Sequence, residues 1–267
     1  MKNLITICGL PRSGSTLLQN VLSENPDFFV SKLTSNIPGY LEATRLSWSN
    51  SQETPGAMKA YPDLSQRFER VLRGIVDNFY GSDKIIVDKS RGWTDKIPLA
   101  KQLWPESKHL VCIRDPRDIL VSCEKLDLKD QTVTKMRSPH NGILDRAQAL
   151  FHKTGMVGSC LHATMDTVFR SQDVHYVKFE DFVTRPRLIL AEIYDYLELP
   201  QFTHDINNVP QYAQDLDEIY FRKFTHVASG KIEPPSKNWE DFLHPDIAKL
   251  VVNAYPDFYK TFYQDRM

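Results

Sequence analysis

The chain has little of what several large function classes require. Its four cysteines, Cys8, Cys112, Cys123 and Cys160, stand at no metal-ligand spacing. Neither a zinc centre nor a disulfide framework is expected, and the thiols read as buried and reduced. There is no H-E-x-x-H, no C-x-x-C and no carboxylate cluster, so no metal ligands are assigned. Charge of neither sign dominates. Thirty-three Lys and Arg against 34 Asp and Glu leave a formal net charge of −1, which gives no global reason to expect nucleic acid or an anionic membrane as partner. No apolar run approaches the roughly 18 residues of a membrane span, and the opening MKNLITICGLPRS is too short an apolar stretch for a signal sequence. A soluble, cytoplasmic protein is the expectation. Repeats and low-complexity segments are also missing. What is present is 41% hydrophobic residues in 267 positions, enough for one sizeable α/β domain or two small ones.

One further absence is local. Gly9-Leu10-Pro11-Arg12-Ser13-Gly14-Ser15-Thr16 is nearly the phosphate-binding pattern of Gly, four residues, Gly, Lys, Ser or Thr. Ser15 stands where the lysine belongs, and Arg12 supplies a cation from inside the loop. The exchange points away from ATP hydrolysis and towards another phosphate-bearing donor. NLITICG before the loop reads as a buried strand, and STLLQNVLS after it carries Leu17, Leu18, Val21 and Leu22 at helical spacing. In that context the N–H groups of Gly14, Ser15 and Thr16 point at a bound anion, and the helix dipole adds to the attraction. Ser13, Ser15 and Thr16 add hydroxyls, and Arg12 a planar fork. A capped Gly/Ser turn without ligand is the competing reading, although such a turn needs no cation.

A second constellation follows KHLVCI, residues 108–113, another buried strand. It ends in Arg114-Asp115-Pro116-Arg117-Asp118 and a helix beginning ILVSCEK. Pro116 suits the first helical position. Asp115 reads as the cap, with Asp118 as its capping-box partner. Arg114 then lies at the carboxyl end of a strand, where open α/β sheets bind ligands, and Ser122 lies nearly two turns on. Arg117 is expected to pair with Asp115 and Asp118, and Arg114 to hold a ligand. A third candidate is KIIVDK, residues 84–89, with Ser90-Arg91-Gly92-Trp93 and a helix over 95–103. Asp88, Lys89 and Ser90 reach the first loop if this strand neighbours the first. DVHYVKF, residues 173–179, reads as a further strand, with a helix over 185–197.

Together these pieces resemble the sulfotransferase family, whose donor is 3′-phosphoadenosine 5′-phosphosulfate (PAPS). GLPRSGSTLL is similar to its 5′-phosphosulfate loop, in the Arg-containing version of tyrosylprotein and carbohydrate sulfotransferases; cytosolic members usually carry Lys. VCIRDPRDILVS resembles the 3′-phosphate segment, with Arg114 and Ser122 at the matching positions. VKFEDFVTRP and a basic segment near Trp239 are further matches. The resemblance implies an α/β, three-layer P-loop-like fold with a central, mostly parallel sheet flanked by helices. It implies one sulfotransferase-like domain over 1–267, with substrate-loop insertions near 34–62 and 126–140. Tyr40, Trp48 and Tyr61 in the first insertion, otherwise rich in turn residues, are candidates to stack on an acceptor or to pack the loop.

The implied reaction is in-line transfer of a sulfuryl group to a hydroxyl or amine of a carbohydrate, peptide or small molecule, leaving adenosine 3′,5′-bisphosphate (PAP). Arg12 would stabilise the leaving phosphate, Ser13 to Thr16 would hold it, Arg114 and Ser122 would bind the 3′-phosphate, and Lys89 would assist the leaving group. No metal is required. The chain departs from the family where a base is expected: NPDFFVSKL has no carboxylate at the matching place, and Lys89-Ser90-Arg91 replaces Lys-Thr-His. Glu42 and then Asp88 are the candidate bases. Phe179 replaces the usual Tyr. Ser229-Gly230-Lys231 and Lys237-Asn238-Trp239 resemble a cofactor-closing loop, with Lys231 and Lys237 as candidate contacts. Two alternatives remain open. A P-loop kinase requires a Lys after Gly14 and acids holding Mg²⁺, a role Asp88 could fill. A non-catalytic nucleotide-binding regulator requires only the loop. Neither the acceptor nor the oligomeric state follows from the sequence.

Overall fold

The computed structural model describes residues 4–129, 142–170, 172–214 and 230–266. At its centre lie five strands: β1 (Leu4–Gly9), β2 (Phe28–Val30), β3 (Ile85–Lys89), β4 (Lys108–Ile113) and β5 (His175–Lys178). Their order is β2-β3-β1-β4-β5, and all four pairings are parallel. Four of these strands lie where the apolar runs place them. β2 carries only three residues, too few for a periodic signal.

Alternation along the strands divides the interior. Leu4 and Cys8 of β1, Ile86 of β3, and Val111 and Ile113 of β4 face one core. Ile5 and Ile7, Val87, and Leu110 and Cys112 face the other, as a period of two requires. A sheet buried on both faces needs helices on both. One face is covered by α1 (Ser15–Leu22), where Leu18, Val21 and Leu22 are buried, and by the later helix Pro186–Leu197. The other carries α2 (Ile37–Asn50), α4 (Leu64–Tyr80), α5 (Ile97–Leu103) and α6 (Pro116–Lys129). The same core takes in α7 (Ile143–Phe151), α8 (Met156–Phe169), which packs against β1, α11 (Pro245–Ala254) and α12 (Pro256–Phe262). The result is the three-layer α/β arrangement, with a wholly parallel sheet. Short helices at Thr54–Ala60 (α3) and Phe179–Thr184 (α9), the latter ahead of α10 (Pro186–Leu197), complete the description.

Two local expectations change. Segment 34–62 is not an irregular insertion, because α2 and α3 occupy most of it. Each starts at a proline in its first turn, where the missing N–H costs nothing. The helix expected over 95–103 is split into a 3-10 turn at Arg91–Lys96 and α5. Pro98 stands in the first turn of α5 and cannot continue a preceding helix. Of the segment 126–140, residues 126–129 belong to α6, and 130–140 lie outside the described residues.

The strand order positions the site. The chain leaves β1 towards β2 and leaves β4 towards β5, so the connections of these neighbouring strands diverge. That divergence is a topological switch point, the place where open parallel sheets bind ligands. At its mouth Gly9 (φ +103°) passes so close to β4 that a Cβ would stand 2.2 Å from the Cys112 carbonyl oxygen. Only glycine fits there.

Candidate functional site

The loop after β1 is tied down from within. The Ser13 hydroxyl donates to the Leu10 carbonyl at 2.6 Å, and Leu10 N–H donates to Cys112 at 2.8 Å. Arg12 (φ 57°) and Gly14 (φ 81°) both take left-handed backbone conformations. Gly14 is the N-cap of α1, so the first N–H groups of the helix have no partner inside it. A Cβ on Gly14 would stand 2.6 Å from the Phe179 ring. The buried Thr16 Oγ1 has no hydrogen-bond partner among the described residues. A loop built only for structure has no use for such an oxygen.

β4 delivers the second limb to the same place. The Arg114 guanidinium lies 4.3 Å from the Phe179 ring centroid, and its Nη1 donates to the Arg12 carbonyl at 3.0 Å. Its Nε is buried and has no partner among the described residues. Burial lowers the pKa of Arg114, while Asp118 and Glu180 pull it back up. Arg12 Nε donates to Ser122 Oγ at 3.0 Å. The residues read as two separate phosphate sites thus form one constellation. Of the two expected partners, Arg117 pairs with Asp115, Nε to Oδ1 at 3.0 Å and Nη2 to Oδ2 at 2.7 Å. Asp115 also caps α6 by accepting from Arg117 N–H. Asp118 is not its capping-box partner. The Asp115 N–H goes instead to Glu180 Oε1 at 3.0 Å, and Asp118 Oδ1 accepts from Trp239 N–H at 2.8 Å. A carboxylate from another element reaches that N–H, which leaves Asp118 for the C-terminal segment.

β3 neighbours β1, with Lys89 opposite Ile7, so Lys89 does arrive beside the loop. Its Nζ donates to Thr34 Oγ1 at 2.7 Å. Only 7% of the residue is exposed, and burial, helped by the positive charges of Arg91 and Arg12, pushes its pKa down to about 8. The two candidate bases are corrected. Asp88 is fully buried and accepts from Ser35 Oγ and Trp93 Nε1, both at 2.6 Å, and from the Tyr80 hydroxyl. It is an interior anchor with no face open to a substrate or to Mg²⁺. Glu42 lies on α2 with both oxygens engaged by Arg45 at 2.9 and 3.0 Å. That pairing lowers its pKa and so weakens it as a base.

Trp48 stacks on Phe68 with centroids 4.2 Å apart, which is the packing use of an aromatic. Tyr40 and Tyr61 are exposed. Lys231 pairs with Glu233 at 3.5 Å, and Lys237 lies 5.9 Å from the Phe242 ring centroid. Both are exposed, and Ser229 lies outside the described residues. Pro234, Pro235 and Asn238 of the same segment border a cleft of about 1000 Å³ that opens beside Arg114 and Phe179. Two groups had no signal of this role in the sequence: Thr34, which holds Lys89, and Phe179, which matters as a ring under a guanidinium rather than for a missing hydroxyl.

The unpartnered Thr16 Oγ1 and Arg114 Nε, together with the side-chain-free approach at Gly14, fit a ligand carrying two anionic groups. A model of the sulfotransferase family matches residues 5–204. Protein-tyrosine sulfotransferase A of Caenorhabditis elegans is 25% identical over 219 residues, which is 73% of this chain and 50% of that protein. The chain therefore spans about half the length of this curated relative. Among solved structures, the sulfotransferase domain of a Synechococcus olefin synthase superposes with a TM-score of 0.55 at 19% identity, covering 98% of this chain and 94% of that one. A mouse sulfotransferase complexed with PAP gives 0.52 at 14% identity, with 99% and 86% covered. At these identities the likeness is one of fold.

Proposed function

Because the chain belongs to the sulfotransferase family, we propose that it transfers a sulfuryl group from PAPS to a hydroxyl or amine of a carbohydrate, peptide or small-molecule acceptor. One observation carries the reading: Arg12, Arg114 and Ser122 form a single constellation, in which the buried Arg114 Nε, like Thr16 Oγ1 at the start of α1, has no hydrogen-bond partner among the described residues. The α1 N-terminus with Thr16 Oγ1 would hold the 5′-phosphate. Arg114 Nε and Ser122 would hold the 3′-phosphate, the group that separates this donor from ATP. The cleft beside Phe179 has room for the nucleoside. Such a transfer is largely a matter of positioning and charge stabilisation. The Arg12 fork would meet the charge developing on the bridging oxygen, and the Lys89 ammonium would donate to that oxygen as the bond breaks. With Asp88 saturated and Glu42 clamped, neither is proposed as the acceptor's base.

The same reading treats residues 1–267 as one working domain, since each core draws on residues from early and late in the chain. The kinase alternative loses its Mg²⁺ ligand with the burial of Asp88. Titration calorimetry with PAP and with ADP plus Mg²⁺ tests the reading. PAP is expected to bind more tightly, and Arg114→Ala to weaken it about 30-fold or more, the usual cost of truncating one partner of a buried charged pair. Preference for ADP–Mg²⁺ would overturn it. Sulfate transfer from PAPS to phenol, sugar and peptide panels then identifies the acceptor class and separates an enzyme from a binding protein.

A further inference from the structure

We infer that Tyr263 and Tyr259, beyond the family-matched span, are positioning residues for the Arg114 limb and act on it through Glu180 and Asp115. The inference rests on the donor reading above.

Besides the Arg12 carbonyl, two residues hold Arg114: Asp115, which follows it in the chain, and Phe179, whose ring carries the guanidinium. Both are held by one relay. The Tyr263 hydroxyl donates to Glu180 Oε2 at 2.9 Å. The other oxygen of Glu180 accepts from the Asp115 backbone N–H at 3.0 Å, and Glu180 is the residue next to Phe179. The Tyr259 hydroxyl donates to Asp115 Oδ1 at 2.9 Å. That carboxylate also grips Arg117, whose Nη2 donates to the Arg266 carbonyl at 3.0 Å. Residues 259–266 are thus bonded to Asp115 just after β4, to Arg117 of α6 and to Glu180 of α9.

Packing does not account for these hydroxyls. Tyr259 and Tyr263 are 0% and 1% exposed, and their rings belong to the core around Phe258. Phenylalanine would fill the same space. Burial and the neighbouring carboxylates push both phenol pKa values up, so both hydroxyls remain donors at neutral pH. A half-buried carboxylate that loses a donor is under-satisfied, and re-settling it costs free energy. At Glu180 such re-settling moves Phe179 and the Asp115 backbone together, and with them Arg114. The relay's own bonds do not reach the loop after β1, which meets this limb through the Arg12 carbonyl and the Gly14–Phe179 approach, so the larger effect falls on the 3′-phosphate.

The relay therefore predicts a selective defect. The ratio of the dissociation constants of AMP and PAP, measured by calorimetry on the full chain, reads the 3′-phosphate alone. Tyr263→Phe is expected to lower that ratio about three- to tenfold, the span of one hydrogen bond, with AMP affinity changing less than PAP affinity. Tyr259→Phe is expected to act in the same direction, and provides the reading if the first variant fails to fold. Thr261→Ala removes a hydroxyl of the same helix that bonds only within it, to Asp257, and should leave the ratio alone. Retention of the wild-type ratio in both phenylalanine variants overturns the relay. So does a parallel loss of AMP and PAP affinity, which marks a general structural defect. A wild-type protein with no preference for PAP over AMP overturns the donor reading itself, and the relay falls with it.

Discussion

At Lys89, stability and the proposed chemistry pull in opposite directions. The amine is buried beside Thr34, and its pKa falls from an ordinary 10.5 to about 8. Below pH 8 the folded chain holds a charge that the fold disfavours, and the penalty is fully present. Between pH 8 and 10.5 the unfolded chain binds the proton more tightly, so the stability contributed by this residue rises with pH. Lys89→Met should therefore raise the melting temperature at pH 7 while turnover falls about 100-fold or more, the usual weight of a general acid. Unchanged turnover would remove Lys89 from the mechanism. A second readout is the pH profile. In the wild type kcat/KM should fall on the alkaline side with an apparent pKa near 8, and Lys89→Arg should move that limb beyond the accessible range. Lys89 could be read from the sequence because it ends an apolar run. The saturation of Asp88 could not, because it depends on Tyr80, Trp93 and Ser35 closing on its oxygens, and no local pattern records which donors converge on a buried carboxylate. The clamp on Glu42 was within reach of the sequence, since Arg45 stands three residues on along α2.

The site is assembled from strand–loop–helix units, and most of each unit is legible locally. β1 with α1 and β4 with α6 appear in the sequence because an apolar run stops at a turn or cap and helical spacing follows. Gly14 marks the more fragile of the two junctions. Its φ of 81° and the Phe179 ring 2.6 Å from a would-be Cβ oppose any side chain there, at about 1 kcal/mol or more for the backbone alone. Gly14→Ala should abolish PAP binding by calorimetry while far-UV circular dichroism stays native. Retained affinity would show that the backbone does not approach the anion. At the other junction, Asp115→Ala strips α6 of its cap and leaves Arg117 uncompensated with its side chain 6% exposed. Urea unfolding should record a loss of about 3–5 kcal/mol. What stayed illegible at this scale was length-limited or non-local. β2 is too short to show a period, and the reciprocal cap on Asp115 comes from Glu180, 65 positions away.

Across the whole molecule the site joins parts that otherwise have separate interiors. One core lies on each face of the sheet, and the loops after β1, β3 and β4 meet at one edge because all the strands are parallel. The protein–protein links across the switch point include Arg114 to the Arg12 carbonyl and Arg12 to Ser122, both at 3.0 Å. A ligand with phosphates on both limbs adds a further link, and one with a single phosphate does not. Saturating PAP, at a hundredfold excess over its dissociation constant, should raise the melting temperature by about 5–10 °C. Amide exchange should slow at Gly14–Thr16 and at Asp115–Arg117 together. AMP at the same saturation should protect Gly14–Thr16 alone, and PAP on Arg114→Ala should reproduce the AMP pattern. The strand order decides this outcome. In a sheet where β1 and β4 were not neighbours, Arg12 and Arg114 would be at least one strand spacing further apart, about 4.8 Å, and no single small ligand would couple the two loops through these contacts. Protection at both limbs by AMP would mean that the loops are already coupled through the protein, and that the second phosphate contributes affinity without tying the limbs together.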